Sequence, residues 1–319
     1  MGLVKNVFLG LLLVFFFSRF LCPQEDELPI LKGPYLGQEP PGVEPELFAP
    51  GVISTDEDEI NSVFTPDGTE FYFSRDTKKN ISKAGRDYTI LFMKQESQGW
   101  TKPRVVSFAD DYMNADMCIS SDNRYMFFCS DRPSAGDTGR REDADIWFVE
   151  RTAAGWTTPK NAGPEINSAA GEWYPSITRN SLLYFSSSKS GSGSSDVHRA
   201  MFQEGIFQES VNIGPPVNSR YREGDVFIAQ DESFLIVVSS DRPDGLGSGD
   251  LYISFREHDG SWMEPVNMGE PVNSSTLEYC PVVSPDGKYL FFTSRRRGND
   301  DVYWVDAKII DSYRPQGVI

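Results

Sequence analysis

Apolar and polar positions alternate in short blocks along most of this chain, and the blocks recur. Five apolar runs end in Ser or Thr: Phe71-Tyr72-Phe73-Ser74, Met126-Phe127-Phe128-Cys129-Ser130, Leu183-Tyr184-Phe185-Ser186, Leu235-Ile236-Val237-Val238-Ser239 and Leu290-Phe291-Phe292-Thr293-Ser294. Unbroken runs this short suit strands covered on both faces. Each follows a turn: Thr65-Pro66-Asp67-Gly68, Ser121-Asp122-Asn123, Arg179-Asn180-Ser181, Gln230-Asp231-Glu232 and Ser284-Pro285-Asp286-Gly287. Proline presets one corner of such a turn, and glycine or asparagine accepts the positive φ that follows.

The turns repeat at intervals of 55, 58, 51 and 55 residues, a period typical of propeller blades. Within each unit a third strand begins after a variable polar loop, at Ile90, Asp145, Asp196, Asp250 and Asp301. A fourth strand is expected to start at Trp100, Trp156, Phe207 and Trp262. No helical period intervenes. The fifth unit stops near Asp306 without its fourth strand, and Leu47-Phe48-Ala49-Pro50-Gly51-Val52 stands where that strand is missing. The expected fold is therefore all-β: a five-bladed β-propeller of four-stranded antiparallel blades over 47–306, its ring closed by the N-terminal strand, which hides unpaired edges.

The flanks read differently. Lys5 and the apolar run Val7–Phe17 predict an export signal over 1–22, too short for a permanent membrane span. Cys22 is an alternative lipid-anchoring position, although Arg19, Phe20 and Leu21 before it fit a lipidation signal poorly. Residues 23–46, with Pro29, Pro34, Pro40, Pro41 and Pro45, predict an extended linker, and 307–319 a C-terminal tail. Of the cysteines beyond Cys22, Cys118 and Cys129 flank one turn and read as buried apolar residues rather than a strained cross-strand disulfide. The sequons at Asn80 and Asn273 matter only in a eukaryotic host.

The formal net charge of −17 opposes nucleic acid and anionic membrane surfaces as partners. Composition, 39% hydrophobic and 13% aromatic, is that of one large folded unit.

The repeat resembles the TolB-like, WD-repeat-like propeller family, most clearly at Ser284-Pro285-Asp286-Gly287-Lys288-Tyr289-Leu290-Phe291-Phe292. Ser240–Tyr252 and Trp262-Met263-Glu264-Pro265-Val266-Asn267-Met268-Gly269 look like the propellers of OmpA-associated envelope proteins. The resemblance spans all five repeats, is degenerate at the third turn, and implies a binding scaffold rather than one shared activity.

Glutamate stands eight residues before the turn in four repeats, at Glu59, Glu172, Glu223 and Glu278, with Asn114 in the second repeat and Asp116 close by. On inner strands these carboxylates would ring one channel mouth, either as a cation or polar-ligand site or as caps for a neighbouring blade's backbone amides; the second reading is preferred. Trp173 and Tyr279 follow two of the glutamates and would stack on sugars or pack between blades. Asp145, Asp196, Asp250 and Asp301 are expected to bond loop backbone, and the loops at Gly191–Ser194 and Gly245–Gly249 lack the context of a phosphate cradle. The two histidines make poor bases: His198 takes the slot of Trp147, Tyr252 and Tyr303, a core position, and His258 sits in a turn. No catalytic residue is assigned, and no cofactor is expected beyond a channel cation. The expected function is an extracytoplasmic binding or scaffold propeller, periplasmic or envelope-associated. It would recognise an envelope protein, peptide or glycan, as a monomer or within a complex. The alternative is a carbohydrate-active hydrolase or lyase using channel-facing carboxylates.

Overall fold

The computed structural model describes residues 31–77, 87–134, 139–189 and 194–315. The expected export signal, Cys22, Asn80 and Gly191–Gly193 lie outside these residues. Five antiparallel sheets are arranged in a ring, a five-bladed β-propeller. The innermost strands are Glu59–Phe64, Asn114–Ile119, Glu172–Ile177, Arg222–Ile228 and Glu278–Val283, and each lies beside the inner strand of the next blade. Second strands (Glu70–Asp76, Tyr125–Ser130, Leu182–Ser187, Phe234–Ser240, Tyr289–Ser294) carry the apolar runs and are almost wholly buried.

All five hairpin turns use one geometry. Their last residue is left-handed in every blade: Gly68, Asn123, Ser181, Glu232 and Gly287. In four of the five the preceding residue is an aspartate that holds the corner, as where Asp67 accepts the Thr65 hydroxyl at 2.6 Å and the Thr69 amide at 3.0 Å.

The expected fourth strand is split. In blade 1, Gly99–Trp100 folds back on the end of the third strand Tyr88–Glu96, and only Arg104–Val105 pairs further along it as the outer strand. Pro103, which has no amide to donate, stands between the two. The ring closes as expected: Glu46–Leu47 pairs with the third strand Asp301–Asp306 of the last blade, Leu47 opposite Tyr303.

The described parts of the flanks, 31–46 and 307–315, pack on the body. Where a linker was expected, Leu36 is buried in the cluster containing Phe48, Phe291 and Trp304, and the Tyr35 ring packs on Phe64 and Tyr289. The Trp100 indole donates to the Gly33 carbonyl. Tyr35 and Leu36 both hold left-handed backbone, at φ 50° and 56°, a conformation this packing imposes. Ala307–Tyr313, expected as tail, is a 3-10 helix that buries Ile309 and Ile310. Among the described residues no helix is long and apolar enough to cross a membrane.

Candidate functional site at the propeller axis

The four repeated glutamates do not form an open ring. All are 0% exposed, and each is closed by its own loop. Glu172 accepts the Ser168 amide at 2.9 Å, the Ser168 hydroxyl at 2.7 Å and the Ser187 hydroxyl at 2.7 Å. Thr55 serves Glu59, Ser219 serves Glu223 and Ser274 serves Glu278 in the same way, four residues upstream each time. Arg75 adds a 2.7 Å ion pair to Glu59, and Arg296 approaches Glu278 at 3.5 Å. These carboxylates bind their own loops: the preferred reading as backbone caps describes them, with the amides coming from each glutamate's own loop rather than a neighbouring blade, and Glu59, Glu172, Glu223 and Glu278 form internal clasps instead of a ligand ring. The physical reason is saturation: a buried carboxylate with three donors has little left to offer a ligand. Burial raises the pKa of Glu59, Glu172 and Glu223, opposed by the hydroxyl and amide bonds.

Asn114 keeps the frame in blade 2 by accepting from Arg132 at 2.8 Å. Asparagines complete it elsewhere. Asn167, Asn218 and Asn273 each bond both the amide and the carbonyl of a third-strand residue in the preceding blade. Asn273 is 1% exposed, so this sequon is no glycan acceptor. Asp250 bonds loop amides as expected, from Leu246 and Gly247; Asp145 and Asp196 instead hold Asn161 and Asn212. Cys118 and Cys129 face Phe127 and Ala115 and are free thiols. His198 is buried and stacked on Phe185, as its slot implied.

Two residues beyond each clasp, every inner strand bulges. The bulge residues are Asn61, Asp116, Tyr174, Asp225 and Cys280, and all but Asp225, which follows Gly224, are left-handed. A bulge re-aims a side chain, here from five equivalent places toward the axis. They meet there. The Tyr174 hydroxyl donates to the Pro281 carbonyl at 2.9 Å and accepts from the Asn61 side-chain Nδ2 at 3.2 Å, a bar joining blade 3 to blades 5 and 1. Asp225 accepts the Cys280 backbone amide at 3.1 Å, and the Cys280 thiol points to Asp116 at 3.8 Å. Burial, reinforced by the charge of Asp225, holds the Asp116 carboxyl well above the usual carboxylate range, and burial raises Asp225 as well. Of the residues expected at a site, only Asp116 reaches this cluster's polar centre. Trp173 and Tyr279 are half-buried in the apolar cluster around Ile60 and Ala115. Among the described residues, no group of three or more His, Cys, Asp or Glu is placed to hold a metal ion.

Beyond Tyr174 the channel opens toward the hairpin turns as a cavity of about 440 Å³. Its wall is largely apolar: Val63, Phe64, Met117, Ile119, Pro175, Ile177, Phe227, Ala229, Phe234, Pro281 and Val283. The turn residues Pro66, Ser121, Arg179, Gln230 and Pro285, one per blade, rim the mouth. A groove of about 750 Å³ leads from this mouth outward between blades 2 and 3, sharing Ser121, Ile177 and Arg179 with the cavity and reaching Ile206.

No protein-family model and no curated protein matches the chain in sequence. Among solved structures, TolB from Acinetobacter baumannii aligns at a TM-score of 0.52 and 14% identity, over 80% of this chain and 53% of that one. This is a TolB-type propeller fold. The chain spans about half the length of that TolB structure. A protein described as a glycoside hydrolase aligns at a TM-score of 0.54 and 9% identity, over 88% of this chain and 93% of that one. BT0996, in an RGII complex, gives 0.53 at 9% identity, with the same coverage. At such identities the likeness of this propeller to each is one of fold.

Proposed function

We propose that this chain is a binding propeller of the cell envelope that recognises a protein segment at the turn-side mouth of its channel. The cavity carries the reading. The repeated polar groups are consumed by the frame, whereas the 440 Å³ cavity is open, lined by apolar side chains and entered between exposed turns. A sugar would need more polar partners than this wall supplies, while an apolar peptide side chain would be desolvated there, as in an interface hot spot. The envelope location rests on the apolar run Val7–Phe17 and on the likeness in fold to TolB.

Ser121 is exposed at the rim, so Ser121→Trp closes the mouth without entering the core. Cross-linking in the envelope fraction is expected to trap a protein partner with the native chain and to lose it with the variant at unchanged melting temperature. Retention of the same partner by a folded Ser121→Trp protein refutes the reading.

One observation favours a second reading, a carbohydrate-active hydrolase. Asp116 and Asp225, the two carboxylates among the five bulge residues, converge on Cys280 and are both pushed toward the protonated form by burial, the environment of a general acid. Turnover of a glycan that is lost in both Asp116→Asn and Asp225→Asn would establish it.

A further inference from the structure

The mouth has a charge pattern that narrows what enters it. The residue directly after each rim residue is aspartate in four blades and Asn180 in the remaining one. Asp67, Asp122 and Asp231 are exposed and take part in no ion pair among the described residues, whereas Asp286 is engaged by Lys288 and Tyr35. Burial raises Asp67 and Asp231, but hydrogen bonds from Thr65, Thr69 and Ser233, together with the charges of Arg151 on Asp67 and Arg179 on Asp231, outweigh it and leave both lowered. Three carboxylates that form no ion pair, their charge partly offset through space by Arg151, Arg124 and Arg179, therefore stand at the turns around an apolar hole. Arg179 is the exception on the rim. It occupies the position of Pro66, Ser121, Gln230 and Pro285, is exposed, makes no ion pair among the described residues, and sits where the cavity meets the groove between blades 2 and 3.

We infer that the occupant is an extended basic segment of a protein: one large apolar side chain seated in the axial cavity, lysines or arginines beside it over Asp67, Asp122 and Asp231, and an acidic group at Arg179 as the segment leaves along the groove. The inference rests on the turn-side mouth being the binding face. It follows from complementarity, because like charges set opposite one another are rejected while unlike charges speed and orient docking. The single arginine supplies what a pseudo-symmetric mouth lacks, a direction for the bound chain.

The repeat itself provides mild substitutions for the test. Asparagine serves the aspartate position at Asn180, so Asp67→Asn, Asp122→Asn and Asp231→Asn together keep a residue the turn accepts. Glutamine serves the rim at Gln230, so Arg179→Gln does likewise. The probes are short synthetic peptides with a central tryptophan flanked by lysine, serine or glutamate, each with and without an aspartate downstream, measured by fluorescence anisotropy. At low salt the lysine-flanked peptide is expected to bind about ten-fold more tightly than the glutamate-flanked one, and salt should erode the difference. The triple asparagine variant should abolish the preference for lysine, and Arg179→Gln the gain from the aspartate. Equal binding of all flanks, lost together in Ser121→Trp, overturns the basic segment but leaves the mouth as the binding face. Preference for the glutamate peptide, or no binding by any, overturns the inference, and partner capture by Ser121→Trp then decides the broader reading separately.

Discussion

The clasp glutamates lead to a discriminating experiment, because glutamate and glutamine have one shape and different donor patterns. At Glu172, one carboxylate oxygen takes the Ser168 amide, a donor that cannot turn away, and the other takes two hydroxyls, from Ser168 and Ser187. In Glu172→Gln the carbonyl oxygen can keep the amide while the new NH2 donates to hydroxyls that rotate to accept. The cost should be about 1 kcal/mol. Glu172→Ala strands all three donors in a buried site, and at roughly 1 to 3 kcal/mol for each unsatisfied group, partly relieved by entering water, the loss should be about 4 kcal/mol. Glu59 has no such freedom. One oxygen faces the Thr55 amide and the other the Arg75 Nε–H at 2.7 Å, so either orientation of a glutamine sets NH2 against N–H. Glu59→Gln should therefore cost about 2 to 3 kcal/mol. Urea denaturation of the purified protein measures all three, and the alanine variant should melt about 10 °C lower. Equal losses for Glu172→Gln and Glu172→Ala, or a Glu59→Gln as mild as Glu172→Gln, would refute this account of the clasps.

Two further outcomes are expected. Because the Asp116 carboxyl titrates above its unfolded value, folding takes up a proton; that contribution to stability is complete below about pH 4 and is lost as pH rises through the raised value. Asp116→Asn should thus be more stable than the native chain at about pH 7.5 and show no such advantage near pH 4, read from urea midpoints. Leu36→Ala should cost about 2 to 5 kcal/mol, as for a buried leucine in a packed core, and a melting curve identical to the native one would return this segment to a free linker.

The blades were legible because each needs the same local chemistry. Turn residues, the apolar second strand and the aspartate or hydrophobe opening the third strand recur in type, so spacing alone exposes them. The clasp was half visible: the glutamates stood out, but not the Ser or Thr four residues before each, nor the asparagines at Asn167, Asn218 and Asn273, which explain where the carboxylates point. The axis was hidden for the opposite reason. Asn61, Asp116, Tyr174, Asp225 and Cys280 share a backbone bulge and no common chemistry, so no residue pattern marks them. The strap at Tyr35 and Leu36 was missed because proline content signals extension, whereas its packing depends on Trp304 and Phe291, far along the chain.

Closure of the last blade has a consequence for the order of assembly. The Ser54 hydroxyl and the Val302 carbonyl meet across 248 residues, and Glu46–Leu47 has no sheet partner until Asp301–Asp306 has been made and delivered. Local hairpins can form early, but the longest-range pairing must come late, after the entropy of bringing the two ends together has been met. Until then two raw strand edges face solvent at once. A chain stalled in its final blade is for this reason the species most exposed to proteases and to pairing with a second copy, and the last few dozen residues decide whether the other four blades are kept.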